Sequence, residues 1–196
     1  LKKANILSPN ISFTKTTLDH RKNISQEEKI CYYKTIRFEV AKRLQAQFNV
    51  ATVIIDIDAL FTGPIKDVLN EANNERIDIM LGSKFDLCNK TTYEASRQDY
   101  LWRTIKAGFS YFNNSRLGKE ALSRICEKLF NYNDSIPPID PLKLYRAYYG
   151  DQLSLLLTLL EYKDAPPNKR PKIKCIGYSE KSPINFSVPN KWTRLA

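Results

Sequence analysis

Between residues 25 and 81 the sequence alternates between the hydrophobic period of a helix and that of a buried strand. A capping-box sequence, Ser25-Gln26-Glu27-Glu28, predicts the start of a long amphipathic helix that ends near Asn49. The run from Ala51 to Ile57 is mostly apolar and β-branched, as in a strand buried on both faces. Pro64 to Ala72 predicts a second helix, and Ile77 to Leu81 predicts a second strand. This alternation predicts an α/β fold with a mixed, mostly parallel sheet flanked by helices.

Further elements are predicted along the rest of the chain: a strand over Ala107 to Phe112, a helix capped by Ser115, an apolar helix opened by Gly150-Asp151, and a strand over Ile173 to Tyr178. At the start of a helix, the ordinary role of Asp151 is that of an N-cap. No repeat or change in composition divides the chain, so we expect residues 1–196 to form a single domain, in which residues 1–24 show no clear pattern.

The first predicted helix carries an apolar stripe at helical spacing, formed by Tyr33, Ile36, Val40, Leu44 and Phe48. Such a stripe is expected to face the core. Arg37 lies away from the stripe, on the side where charged side chains are usually solvated.

The chain carries 31 Lys and Arg residues against 21 Asp and Glu residues, a formal net charge of +10. This surplus favours a partner with negative charge: a phosphorylated molecule, an acidic glycan, or an anionic membrane surface contacted peripherally. A solvated basic surface is the plain alternative. Nucleic acid is disfavoured as a partner, because basic and aromatic residues do not interleave and no RNA-recognition motif or zinc finger is present.

Two further features bear on the cellular location of the protein. The longest dense apolar run, Leu153 to Leu160, is shorter than the roughly 18 residues that span a bilayer. The four cysteines are widely spaced and contain no C-x-x-C pair: Cys31, Cys88, Cys126 and Cys175. We expect them to be buried, reduced thiols, which favours a cytoplasmic location. Peripheral association with the inner face of the membrane is compatible with that location.

The most informative local feature is Asp56-Ile57-Asp58, at the end of the predicted strand over Val53 to Ile55. Ligands of open α/β folds bind outside the carboxyl ends of the strands, where both carboxylates would lie. Their hard oxygen atoms suit Mg²⁺ or Mn²⁺, which can bridge the phosphates of a nucleotide. The structural alternative is that Asp58 caps the next turn and Asp56 is a satisfied carboxylate at the strand end.

Several motifs accompany this pair in order: Tyr33 to Phe38 with Arg37, Val53 to Phe61 with Pro64 to Leu69, Ala107 to Asn113, Gly150-Asp151-Gln152, and Asn185 to Trp192. Their order and spacing resemble those of nucleotide-sugar glycosyltransferases of the GT-A fold, in the glycogenin-like and bacterial lipopolysaccharide transferase group. The likeness covers roughly residues 26 to 192.

The resemblance implies a transferase that binds a nucleoside-diphosphate sugar through Mn²⁺ or Mg²⁺ and passes the sugar to a glycan or lipid-glycan acceptor. It implies three sets of residues: metal ligands Asp56, Asp58 and Asn185; donor-binding residues Arg37, Gly108 and Lys191 beside the two aspartates; and catalytic residues Asp151 and Gln152. The metal and a cation would stabilise the charge on the leaving diphosphate.

Two departures qualify the resemblance. Asn185 stands where the family has a metal-binding His, which predicts weaker metal binding. The strand and helix that grip the nucleotide base have no clear counterpart, so we expect either an N-terminally truncated chain or a reduced version supplied by residues 1–24. The sequence leaves inversion or retention of the sugar open. Inversion needs a general base, for which Asp86, Asp99 and Asp151 are candidates.

Two other functions compete with this one. Asp56-Ile57-Asp58 with the following residues up to Thr62 also resembles the nucleophile strand of haloacid-dehalogenase phosphatases, with Asp56 as nucleophile. The second acid of that family is missing, because Leu155 stands four residues after Asp151. The other candidate is a non-catalytic basic domain that binds a glycan or nucleic acid.

Overall fold

A computed structural model describes residues 26–56, 60–61, 63–83, 105–131, 143–163, 165–177 and 184–185. The helices are α1 (Gln26–Phe48), α2 (Ile65–Asn74), α3 (Arg116–Phe130) and α4 (Lys143–Lys163), with a 3₁₀ turn at Pro167–Lys169. The strands are β1 (Thr52–Ile55), β2 (Leu60–Phe61), β3 (Ile79–Ser83), β4 (Ile105–Phe112), β5 (Ile173–Gly177) and β6 (Ile184–Asn185). Helices and strands alternate over the first half, which confirms the predicted α/β class.

The main sheet is mixed, with the strand order β1-β4-β3-β5. β4 runs antiparallel to β1 and to β3, whereas β3 and β5 are parallel. β1, β3 and β5 therefore point the same way. The sheet is mixed, as predicted. Most of its strands run in the same direction, but most neighbouring strands are paired antiparallel, because the reversed β4 lies between β1 and β3. β2 and β6 form a separate antiparallel pair.

Both faces of the sheet are covered. α1, α3 and α4 pack against one another and over one face, where the larger core cluster includes Phe38, Ile54, Leu81, Phe112, Leu122 and Leu155. A second cluster joins Val68 and Ala72 of α2 to Met80, Phe109 and Tyr111 of the sheet. Because apolar side chains pack on both faces, successive strand residues are apolar, which is why the strands read as continuous hydrophobic runs.

The buried face of α1 differs from the predicted stripe. Phe38, Ala41 and Gln45 are buried, whereas Tyr33 and Phe48 are each 58% exposed. The stripe prediction was therefore wrong in its orientation, because α1 packs against β1, α3 and α4 together and these contacts select a different face. Gln45 Nε2 donates to the carbonyl oxygens of Phe112 (3.2 Å) and Asn113 (3.0 Å), which joins α1 to the end of β4.

α4 begins at Lys143, eight residues before Asp151, and the prediction that Gly150-Asp151 opens the helix was wrong. Gly150 is buried inside the helix, and its carbonyl oxygen accepts a hydrogen bond from Ser154 Oγ at 2.7 Å. Glycine in a helix interior costs about 1 kcal/mol relative to alanine, and packing of a long buried helix overrides that cost. Asp151 is consequently not an N-cap.

The start of α3 was predicted correctly. Ser115 is the N-cap, and its Oγ accepts from the backbone N–H of Gly118 at 3.0 Å. A Cβ atom at Gly118 would lie 2.3 Å from the carbonyl oxygen of Asn113, so only glycine allows this approach. Asn113 in turn donates its backbone N–H to the carbonyl oxygen of Asp78 at 2.8 Å. These contacts fix the first turn of α3 against the ends of β3 and β4.

Smaller differences concern element ends and cysteines. Pro64 occupies the N-cap position of α2 and not its first helical position. Cys126 is buried and Cys175 is half-buried, and neither of these two described cysteines forms a disulfide. Burial raises the pKa of the Cys126 thiol to about 12. Cys31 and Cys88 lie outside the part of the chain whose side chains are described, as do Ser25, Glu28 and residues 1–24. Among the described helices, none has the length and apolar composition needed to cross a membrane.

Candidate functional site

The candidate site lies where β1 ends. Asp56 directly follows β1, and its backbone N–H donates to the carbonyl oxygen of Gly108 in β4 at 2.8 Å. The register that pairs Ile55 with Phe109 continues into this bond, so β4 sets the position of Asp56. The Asp56 side chain is 38% exposed, and its carboxylate is therefore accessible from solvent.

Arg37 reaches this carboxylate from α1. Its Nη1 donates to Asp56 Oδ1, and its Nη2 donates to Asp151 Oδ2. Phe38, the next residue, is fully buried and anchors this part of α1 against the sheet. The expectation that Arg37 is a solvated charge was wrong, because the buried face of α1 turns its side chain toward two carboxylates. Its Nε is buried and lacks a hydrogen-bond partner within the described residues.

Asp151 lies in the interior of α4 and has no exposed side-chain surface. Its Oδ2 accepts from Arg37 and also lies 3.2 Å from Lys34 Nζ, and its Oδ1 accepts from the backbone N–H of Gln152 at 2.9 Å. An ionised carboxylate is costly to bury unless it is paired and hydrogen-bonded, and here both conditions are met. The two cations on α1 therefore allow Asp151 to be charged inside the protein.

Together, the four side chains form a charge cluster made of Lys34, Arg37, Asp56 and Asp151. Two positive and two negative charges are present, so the cluster is formally neutral. The guanidinium group of Arg37 bridges the two carboxylates and fixes their relative orientation, as its planar fork of donors favours. Asp56, at the outer end of this arrangement, is the carboxylate that solvent can reach.

Lys34 was not identified from the sequence. It precedes Arg37 by three residues, so both side chains lie on the same face of α1. The pattern of basic residues at positions 34 and 37 was visible, but the apolar stripe suggested that another face of the helix is buried. Only the observed orientation of α1 brings Lys34 to Asp151, which lies 117 residues away in sequence.

The proposed metal ligands are described only in part. Asp56 offers hard carboxylate oxygen, the donor type that Mg²⁺ and Mn²⁺ prefer, and Arg37 contacts only one of its two oxygens. The backbone of Asn185, in β6, pairs with Leu60, which follows Asp58 by two residues. This pairing places the backbone of Asn185 beside Leu60, whereas the side chain of Asn185 and all of Asp58 lie outside the part of the chain that the structure describes. Within the described residues no group of three or more His, Cys, Asp or Glu side chains forms a metal site.

The structure thus joins four of the predicted site residues: Arg37, Asp56, Gly108 and Asp151. Gln152 follows Asp151 in α4 and is half-buried. The remaining candidates lie outside the described residues: Asp58, Asp86, Asp99 and Lys191. No protein-family model, curated protein or solved structure matches this chain.

Proposed function

We propose that the chain is a metal-dependent glycosyltransferase of the GT-A fold, which transfers the sugar of a nucleoside-diphosphate sugar to a glycan or lipid-glycan acceptor. One observation carries the proposal: Arg37, Asp56, Gly108 and Asp151 come together at the carboxyl end of β1. These residues belong to separate motifs, and Arg37 is 19 residues from Asp56 and 114 residues from Asp151 in sequence. Residues from motifs whose order along the chain resembles that of the transferases therefore also lie close together in the structure.

The geometry supports distinct roles for the two carboxylates. Asp56 is partly exposed and is the residue that would hold a divalent cation, with Asp58 and Asn185 as further ligands. A bound Mg²⁺ or Mn²⁺ would neutralise charge on the diphosphate as it leaves the sugar. Asp151 is enclosed and held by two cations, so in this proposal it positions Arg37 and Gln152 and does not contact the sugar itself.

Arg37 orients the exposed carboxylate. Its bond to Asp56 fixes one oxygen and leaves the other available, while the backbone bond to Gly108 fixes the main chain of Asp56. Preorganised groups of this kind stabilise developing charge without reorganising during the reaction. Gln152, half-buried beside Asp151, is the residue of the pair that would face the sugar and the acceptor.

The proposal is tested by a thermal-shift screen of nucleoside diphosphates and their sugars, with and without Mn²⁺. We expect stabilisation only when nucleotide and metal are both present, because the metal bridges protein and diphosphate. At a ligand concentration of about 100 times Kd, the stabilisation is roughly 2.7 kcal/mol. Asp58→Ala is expected to abolish it. Asp67→Ala removes an exposed aspartate from α2, on the opposite face of the sheet, and serves as the matched control.

The competing functions give different results. A tight adduct of beryllium fluoride that depends on Asp56 would identify a phosphatase nucleophile and end the transferase proposal. A gel shift of nucleic acid that weakens with salt, without any nucleotide-sugar binding, would favour a basic binding domain.

A further inference from the structure

Two cations share one carboxylate oxygen in the charge cluster. Asp151 Oδ2 accepts from Arg37 Nη2 and also lies 3.2 Å from Lys34 Nζ. Arg37 also contacts Asp56, so its one positive charge is shared between two carboxylates. The ammonium group of Lys34 is therefore attracted by Asp151 and repelled by Arg37 at short range. Lys34 supplies the second positive charge, which makes the charge cluster formally neutral.

The two cations differ in the geometry of their contacts with the carboxylates. Arg37 contacts two carboxylates at once, so moving its guanidinium group would break both contacts. Lys34 contacts Asp151 through one ammonium group on a flexible stem, and its side chain is 26% exposed. The flexible stem lets the ammonium group of Lys34 turn toward another anion, while Arg37 keeps its hydrogen bond to Asp151.

The position of Lys34 indicates which anion it would meet. It lies on the same face of α1 as Arg37, whose guanidinium group contacts the accessible carboxylate of Asp56. When Lys34 turns away, Arg37, Asp56 and Asp151 retain a net charge of −1. That charge suits a divalent cation, and the displaced ammonium group suits the phosphate oxygens that accompany such a cation.

We propose that Lys34 is an anion-binding residue that exchanges its contact with Asp151 for a diphosphate oxygen of the ligand bound at the end of β1. This inference rests on the proposed function, since it names the part of the donor that Lys34 contacts.

Isothermal titration calorimetry with inorganic pyrophosphate and Mg²⁺ tests the proposal directly. Lys34→Gln keeps much of the stem and can still donate to Asp151, but it removes the charge. We expect it to weaken pyrophosphate binding by about tenfold or more, the effect of one charged hydrogen bond. Lys34→Arg is expected to retain most of the affinity. Lys42→Gln removes a lysine of the same helix that pairs with Glu39, and is expected to change little.

The salt dependence of binding separates anion contact from a structural role. Each phosphate contact by a cation steepens the loss of affinity with salt, so Lys34→Gln is expected to show a shallower dependence than the wild type. A variant that merely loosened the fold would lower the melting temperature and leave this dependence unchanged. The inference is overturned if the wild type binds no pyrophosphate, if Lys34→Gln binds as the wild type does, or if Lys42→Gln loses as much.

A parallel titration with nucleotide sugars keeps the two proposals apart. If pyrophosphate binding depends on Lys34 but no nucleotide sugar binds, the transferase function fails and the role of Lys34 stands. If nucleotide sugars bind equally well to the wild type and to Lys34→Gln, the function stands and the role of Lys34 fails.

Discussion

Arg37 Nη2 donates to Asp151 Oδ2 across 114 residues of sequence, and the carboxylate that accepts this bond has no exposed surface. The bond joins α1 to α4 at the same place where Arg37 also contacts Asp56. One guanidinium group therefore links the packing of two helices to the end of β1. Stability and the geometry of the candidate site depend on the same side chain.

Removing Arg37 is expected to cost more stability than neutralising its partner. Arg37→Met leaves the enclosed Asp151 carboxylate with Lys34 as its remaining cation among the described contacts, and breaking a buried pair in this way costs about 3 kcal/mol or more. Asp151→Asn leaves Arg37 and Lys34, which are partly exposed and can be solvated, so a smaller loss of about 1–3 kcal/mol is expected. Urea unfolding monitored by circular dichroism measures both free energies.

The double variant Arg37→Met/Asp151→Asn gives the sharper comparison. Because the buried charge is absent, we expect it to be more stable than Arg37→Met alone. Equal stability of the two would contradict the idea that burying the Asp151 carboxylate without Arg37 causes the loss. Arg43→Met, at an exposed position of α1, is the control for replacing an arginine in this helix.

Asp56→Asn is expected to separate stability from ligand binding. The side chain is 38% exposed, and ion pairs with an exposed partner contribute about 0–1 kcal/mol. The unfolding free energy should therefore stay within about 1 kcal/mol of the wild-type value. Stabilisation by Mn²⁺ with a nucleotide sugar should be lost in the thermal-shift assay. Retained Mn²⁺-dependent binding in a folded Asp56→Asn protein would remove Asp56 from the metal site.

Gly118→Ala tests the close approach of α3 to the end of β4. In an ordinary helix, replacing glycine with alanine gains about 1 kcal/mol. Here the added Cβ would lie 2.3 Å from the Asn113 carbonyl oxygen, so a net loss of about 1–3 kcal/mol is expected from overpacking. Ser123→Ala, in the middle of the same helix, should change stability by less than about 0.5 kcal/mol. A melting temperature for Gly118→Ala at or above that of the wild type would show that the contact relaxes freely.

The Cys126 thiol is expected to resist alkylation in the folded protein. Burial raises its pKa to about 12, whereas an unfolded cysteine ionises near pH 8.5. At pH 8, iodoacetamide labelling read by mass spectrometry should proceed roughly a thousandfold more slowly than in guanidinium chloride. Half-buried Cys175 is the internal comparison. Equal labelling of Cys126 in both conditions would contradict its burial.

The same shift has a consequence for stability at high pH. The unfolded chain loses the Cys126 proton near pH 8.5, and the folded chain keeps it up to about pH 12. The contribution of this thiol is therefore present below pH 8.5 and is lost progressively as the pH rises between these values. Cys126→Ala should lower stability overall and flatten this part of the pH dependence.

Local patterns predicted much of the fold. β1 and β4 were predicted from apolar runs. The start of α3 was predicted from Ser115, whose hydroxyl accepts from the Gly118 N–H. The predictions from local patterns failed where tertiary contacts determine the structure. Gly150 inside α4 looked like a helix boundary, and the two-residue strands β2 and β6 are too short to show a period. Periodicity also carries no direction, so the reversal of β4 was not predictable from it.

Residues of the candidate site were named on a different basis. The resemblance named Arg37, Asp56, Gly108 and Asp151, and the structure brings them together. It could not supply the burial of Asp151, which depends on where α4 begins and on how α1 is rotated against the sheet. Lys34 was missed for the same reason, since its neighbour Asp151 comes from the far end of the chain.

The place of β4 in the sheet has a consequence for the order in which the chain can assemble. β1 and β3 are made first, but each pairs with β4, which follows both in sequence. A nascent chain that ends before residue 105 holds Arg37 and Asp56 without the strand that positions them. The charge cluster is complete only after β4 and then α4 have been synthesised, so a premature stop in this interval yields a protein without it.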